Sequence, residues 1–203
     1  MIATPSVFSR LLRAAARSTL LVALAAPAFA DVTLPAIFSD HAVLQKSAKV
    51  PVWGRADAGE KITVTLGAAK AQATAGADGK WQAVLDLSRS GEGPFNLVVQ
   101  GNNTLTAADV VVGEVWLASG QSNMEWTLKN TIGAATEIAA SANPLLRHFS
   151  VVKGEAAIPI TGYQGKWILS SPETSPGFTA VGYYFSKDLQ RALKVPVGLI
   201  HSS

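Results

Sequence analysis

The 203-residue sequence contains no cysteine. Disulfide staples, thiolate nucleophiles and Cys-ligated zinc or iron–sulfur centres are therefore excluded. Charge and aromatics are sparse, at 15% and 7% of residues, against 48% hydrophobic residues. That balance belongs to a folding chain, not to a disordered polyampholyte or a nucleic-acid-binding tail. The net charge of +3 comes entirely from Arg10, Arg13 and Arg17, in a leading stretch that carries no acid. Beyond Ala30 acids and bases balance, which leaves no electrostatic footprint for a phosphate backbone or an anionic membrane.

The leader itself has three zones: a basic stretch to Arg17, the apolar run Leu20 to Ala26, and the small-residue pattern Ala28-Phe29-Ala30. This is the layout of a secretory signal peptide cut after Ala30. Its apolar core is far short of the ~20 residues that span a bilayer, and Pro27 interrupts it. The expectation is a secreted or periplasmic mature chain with no membrane contact after cleavage. The mean hydropathy of +0.25 is raised partly by this segment.

From Asp31 to about Asp109, short apolar runs alternate with turn residues. Strands are expected over Val32–Phe38, Lys49–Trp53, Lys61–Leu66, Lys70–Ala75, Trp81–Leu87 and Phe95–Gln100. Ile62-Thr63-Val64-Thr65-Leu66 alternates cleanly, as half-buried antiparallel strands do, and the regular turn signals suggest a sandwich. Asp78-Gly79 reads as a hairpin, because both residues tolerate positive φ. Trp53 and Trp81 are either sugar-stacking platforms or aromatic core. Asp40 and His41 are adjacent, so on a strand they point to opposite faces. Asn102-Asn103-Thr104 matches a glycosylation sequon in a turn.

The pattern changes at Val110. Val110 to Ala118 is an almost unbroken apolar run, expected to be a strand covered on both faces. It gives way to Ser119-Gly120-Gln121-Ser122-Asn123-Met124, with a helix expected from Glu125. A strand running into a Gly-containing turn and a helix exposes a serine at the carboxyl end of the strand, where open α/β sheets bind ligands. Free backbone N–H groups at such a turn are donors for a developing oxyanion. The pattern is not G-x-S-x-G, since Met124 replaces the second glycine. On local chemistry alone the blander reading is ordinary capping, since Ser and Asn are favoured at helix starts for their own hydrogen bonds.

The run Gly113 to Trp126 resembles the nucleophile block of the sialate O-acetylesterase family, a branch of the SGNH (GDSL-like) hydrolases. Leu34 to Gln45 and Val50 to Gly54 resemble the opening of that family's β-domain; Phe178 to Phe185 and Val195 to Ser203 resemble its second helix and strand. The resemblance implies that Ser122 is the nucleophile and its N–H an oxyanion donor, with Gly120, Gln121 and Asn123 shaping the turn. It implies attack on the acetyl ester of a sugar or glycan, without metal or organic cofactor. In the family the base is a His closely preceded by an Asp, and further oxyanion donors are a Gly and an Asn. All of these belong to positions beyond Ser203, so the resemblance implies a truncated, catalytically incomplete chain.

His148 is expected on the more polar face of a strand through Leu145–Val152, and His201 at the carboxyl edge of the sheet; neither sits in the position of the family's base. A short helix is expected over Ala134–Ala142. Phe178, Val181, Phe185, Leu189 and Ala192 form an apolar stripe expected to face the core. Gly154–Pro176 reads as an irregular loop around one short strand, Lys166–Ser170. The fold class is thus mixed: a signal peptide over 1–30, an antiparallel β-sandwich over 31–110, and an incomplete α/β/α, SGNH-hydrolase-like domain over 111–203. The expected function is carbohydrate O-acetylesterase. The alternatives are a non-catalytic carbohydrate-binding β-sandwich with a remnant α/β segment, and a chain whose open sheet edge leaves it unstable. No nucleic acid or membrane partner is expected, and no feature sets an oligomeric state.

Overall fold

The computed structural model describes residues 31–154, 157 and 162–203; the expected signal peptide lies outside the described residues. Ten strands follow in chain order: β1 (Val43–Gln45), β2 (Val50–Arg55), β3 (Lys61–Leu66), β4 (Ala69–Thr74), β5 (Lys80–Leu85), β6 (Phe95–Gln100), β7 (Thr104–Ser119), β8 (Asn143–Val151), β9 (Gly165–Ser170) and β10 (Val197–Ser202). Three α-helices are interspersed, α1 (Ser122–Glu125), α2 (Ala134–Ala139) and α3 (Ala180–Leu193).

Alternating sequence builds the first part. Strand β3 buries Ile62, Val64 and Leu66 on one face, and β5 buries Trp81, Ala83 and Leu85. Strands β4, β3, β6 and the first half of β7 pair antiparallel. The separate β2–β5 pair packs on them through a shared core that includes Val52, Leu85, Val64 and Val99. Burying each such side chain stabilises the fold by ~1.5–3 kcal/mol.

The 16-residue strand β7 connects the two halves of the molecule. It pairs with β6 up to Val110, with β1 over Val111–Gly113, and in parallel with β10 over Glu114–Ser119. The junction expected between 110 and 111 therefore falls inside one continuous strand, where the partner changes. The sheet continues from β7 through β10 and β8, both parallel, to antiparallel β9. The result is one mixed eight-stranded sheet plus the β2–β5 pair.

Several expectations need correction. Val32–Phe38 is not a strand: Thr33 makes one isolated bridge to Arg55, and Ala36–Phe38 is a 3-10 turn behind Pro35. Asp78-Gly79 is a turn, but it joins β4 to β5 in different sheets, so no hairpin forms there. The tight hairpin is β3–β4, through Gly67 and Ala68. Strand β7 is covered on both faces only from Val110 to Gly113; Trp116 and Leu117 are exposed where β1 has ended. His148 is not on a polar face: four consecutive residues of β8, Leu146–Phe149, are buried.

The expected apolar stripe is split: Phe178 is buried and Leu189 packs half-buried on the core, but Val181, Phe185 and Ala192 are exposed. The buried face is Ala180, Gly182, Tyr183 and Ser186, while Val181 and Phe185 are exposed. With no side chain at 182, the helix settles against Leu199 of β10. Periodicity identifies an apolar stripe but not which side meets the sheet; here the side carrying Gly182 and Tyr183 does.

Candidate active site

Strand β7 delivers the chain to its carboxyl edge at Ser119, opposite Ser202 of β10. Gly120 follows with φ 153°, a value L side chains rarely adopt. Gln121 then turns the chain: its carbonyl accepts from the N–H of Met124 at 2.8 Å and of Glu125 at 3.3 Å. Ser122 is thus the first residue of α1, and the helix occupies the motif itself, ending at Glu125 where it was expected to begin. The carbonyl of Ser122 accepts from Trp126 N–H at 3.1 Å.

Ser122 is exposed, and among the described residues neither its hydroxyl nor its backbone N–H has a hydrogen-bond partner. Gly120, Gln121 and Asn123 are exposed beside it. The segment is clamped from behind by the start of α3. Ala180 N–H donates to Trp126 O at 2.8 Å, Leu128 N–H to Phe178 O at 2.9 Å, and Thr179 Oγ1 donates to Met124 Sδ at 3.4 Å. The backbone on either side of the serine is thus tied to other elements, by β10 before it and by the start of α3 after it.

The carboxyl ends of β7, β10 and β8 lie side by side at this edge. A depression there is bounded by Glu125, Val151–Gly154 and Ser202–Ser203; Ser122 is not part of its lining. Glu125 and Lys153 form an ion pair across it.

Neither nearby histidine contacts Ser122. His148 stacks on Phe178 with ring centroids 4.4 Å apart. Its Nδ1 faces Ser150 Oγ at 3.3 Å, and its Nε2 is buried without a partner among the described residues. Burial, with a smaller contribution from His201, lowers its pKa to about 3, so the ring is neutral at ordinary pH. His201 is half-buried and its Nε2 meets Ser203 Oγ at 2.7 Å. Burial lowers its pKa; Glu125 opposes that shift and Lys153 adds to it.

A different His–Asp contact lies at the junction of the two halves. His41 Nδ1 meets Asp109 Oδ2 at 2.7 Å, while Arg147, 3% exposed, donates from Nη2 to Asp109 Oδ1 at 3.0 Å and from Nη1 to the Asp109 carbonyl. Burial raises the Asp109 pKa, but the hydrogen bonds from His41 and Arg147 outweigh it and hold the carboxyl below its ordinary range. Asp40, the sequence neighbour of His41, instead accepts from Ala108 N–H at 2.7 Å. This network was missed in the sequence because its members are 38 and 68 residues apart. The available signal was Arg147 itself, a charge inside the apolar run Leu145–Phe149, which requires a buried partner. Among the described residues no three His, Asp or Glu gather as a metal site would need.

Comparison with known proteins bears on this geometry. No family model matches the chain. It is 32% identical over 185 residues to the sialate O-acetylesterase of Rattus norvegicus, covering 81% of this chain and 34% of that protein. It is 32% identical over 182 residues to the sialate O-acetylesterase of Homo sapiens, covering 79% and 35%. A crystal structure of a carbohydrate acetylesterase from Xanthomonas citri superposes with a TM-score of 0.81 at 38% identity, covering 85% of this chain and 40% of that one. The chain thus spans about a third of the length of the curated relatives it matches.

Proposed function

The chain belongs to the sialate O-acetylesterase family, and from that premise we propose that it is the nucleophile-bearing portion of an esterase acting on acetylated carbohydrate. The single observation that carries the reading is the position of Ser122: exposed, without a hydrogen-bond partner for its hydroxyl among the described residues, on a turn at the carboxyl edge of a parallel strand pair. In this reading the β2–β6 region is a β-sandwich, and β7–β10 with α3 is part of an SGNH-hydrolase-like α/β/α layer.

Ser122 Oγ attacks the acetyl carbonyl carbon as its proton passes to a base. The tetrahedral oxyanion is met by the free N–H of Ser122. Collapse breaks the bond to the sugar oxygen, which leaves with a proton as the alcohol. Water then attacks the acetyl-serine, releases acetate and restores the hydroxyl. Gly120 allows the approach to the turn, while Gln121 and Asn123 hold its shape.

Among the described residues no histidine stands ready to take the proton. His148 is buried against Phe178, and His201 is engaged by Ser203. General-base assistance contributes ~10²–10⁴-fold, so the purified chain is expected to hydrolyse p-nitrophenyl acetate no faster than Ser122→Ala. Added imidazole supplies the missing base. With it, an acetyl adduct should accumulate on the Ser122 peptide, read by mass spectrometry, and a rate above that of Ser122→Ala should appear. Imidazole-dependent hydrolysis that is identical in the two proteins would remove Ser122 as nucleophile. Export of the chain with cleavage after Ala30 is part of the same reading, and N-terminal sequencing of the secreted form should begin at Asp31.

A further inference from the structure

We propose that the outer face of the β2–β5 pair carries a glycan-binding cleft, separate from Ser122. Strand β2 alternates strictly, with Val50, Val52 and Gly54 buried and Pro51, Trp53 and Arg55 outward. Trp53 is 38% exposed although an aromatic ring supports it: Phe38 makes a T-shaped contact with it, centroids 4.6 Å apart and planes at 82°. A tryptophan held this way by the protein keeps the rest of its surface for something else.

The concavity beside Trp53 has a volume of about 480 Å³, within the ~300–1,000 Å³ of small-molecule sites. Pro35 and Tyr163 add apolar and aromatic surface, and Trp81 lies beneath. Trp81 is buried, and its indole N–H finds no acceptor among the described residues. Cross-strand neighbours Arg55 and Lys80 also line the cleft. The Asp78 turn steadies both: Arg55 Nη2 donates to the Asp78 carbonyl at 3.1 Å, and Lys80 Nζ pairs with its carboxylate at 3.1 Å. Only Lys80 meets the carboxylate, while Arg55 bonds a backbone carbonyl through one nitrogen, so the guanidinium keeps donors to spare.

Aromatic walls with a rim of donors match a pyranose ring. Its C–H face lies on an indole, while its hydroxyls, or the carboxylate of a uronate, take hydrogen bonds from guanidinium and ammonium groups. A purely apolar peptide would leave Arg55 and Lys80 unused. The preference for a glycan over other hydroxylated ligands rests on the carbohydrate reading above; the location of the site does not. In function, the cleft would hold the polymer while an ester elsewhere on it meets Ser122.

Affinity electrophoresis of the purified chain in gels cast with hydroxyethyl cellulose, xylan or polygalacturonate tests this. Retardation is expected in at least one gel, with Trp53→Ala weakening it about tenfold or more. Ser122→Ala should be retarded like the parent, which separates failure here from failure of the esterase reading. Thermal melting checks that Trp53→Ala folds; should it not, Arg55→Ala carries the same test from the exposed rim. Unchanged mobility in all three gels, or retardation that survives both substitutions, would overturn the proposal.

Discussion

His148, in β8, is 3% exposed and stacked on Phe178 just before α3, with Nε2 unpartnered among the described residues. Its pKa of about 3 in the fold, against 6.5 for the free side chain, makes it a stability element that senses acid. The unfolded chain takes up this proton near pH 6.5, whereas the folded chain resists until about pH 3. Folding stability contributed by the neutral ring is therefore complete above 6.5 and falls as pH drops through that window, by up to ~1.4 kcal/mol per pH unit. The lowered pKa of His201 acts in the same direction. His148→Phe preserves a ring against Phe178 and removes the titration. Denaturation midpoints measured between pH 7 and pH 4 should fall distinctly less steeply in this variant than in the parent. Parallel pH profiles would show that the buried ring is not what titrates.

At the scale of elements, the sandwiching of β7 between changing partners depends on close approach at Gly113. A methyl group there would overlap the carbonyl oxygen of Pro196, the group that accepts from Glu114 N–H at 2.9 Å to start the β7–β10 ladder. The obstacle is backbone, which cannot rotate aside. Gly113→Ala is therefore expected to cost ~2 kcal/mol or more, on the scale of overpacking. Urea denaturation checks it, and a loss below ~0.5 kcal/mol would mean that β10 shifts freely along β7.

The same elements show what the sequence reveals and where it stops. Lys61–Leu66 and Phe95–Gln100 have the bounds that alternation suggests, because one buried face imposes the period. Asp78-Gly79 announces a turn correctly, yet which sheets it joins depends on partners β3 and β2, far along the chain. The strand–turn–helix course through Ser119–Glu125 is legible from the abrupt end of an apolar run. The contacts around it are not, since Thr179, Lys153 and Ser202 arrive from other elements. Trp53 and Trp81 are equivalent in the sequence. Only the pleat separates them, one outward and one buried.

On the scale of the whole molecule, the two halves differ in how well they cover themselves. The β3–β6 core is closed by β2 and β5, with Leu85, Leu87, Leu97 and Val99 fully buried. Past Gly113, one edge of β7 has no described strand partner from Trp116 to Ser119; Gln45 reaches only Val115, accepting from its N–H at 2.8 Å. Leu117 on that edge is 67% exposed. Trp116 is half-exposed despite its contact with Phe185 at 5.1 Å, and Val181 and Leu193 extend the apolar surface along α3. An open strand edge flanked by apolar side chains is a template for pairing with another chain. The purified chain should therefore self-associate, with a sedimentation coefficient that rises with concentration. Leu117→Lys combined with Phe185→Lys places charge on both the edge and the stripe, and should hold it monomeric without lowering its melting temperature, since neither side chain is part of the core. A parent chain that sediments as a monomer at every concentration would show that Trp116 and Phe185 cover each other well enough to satisfy this face.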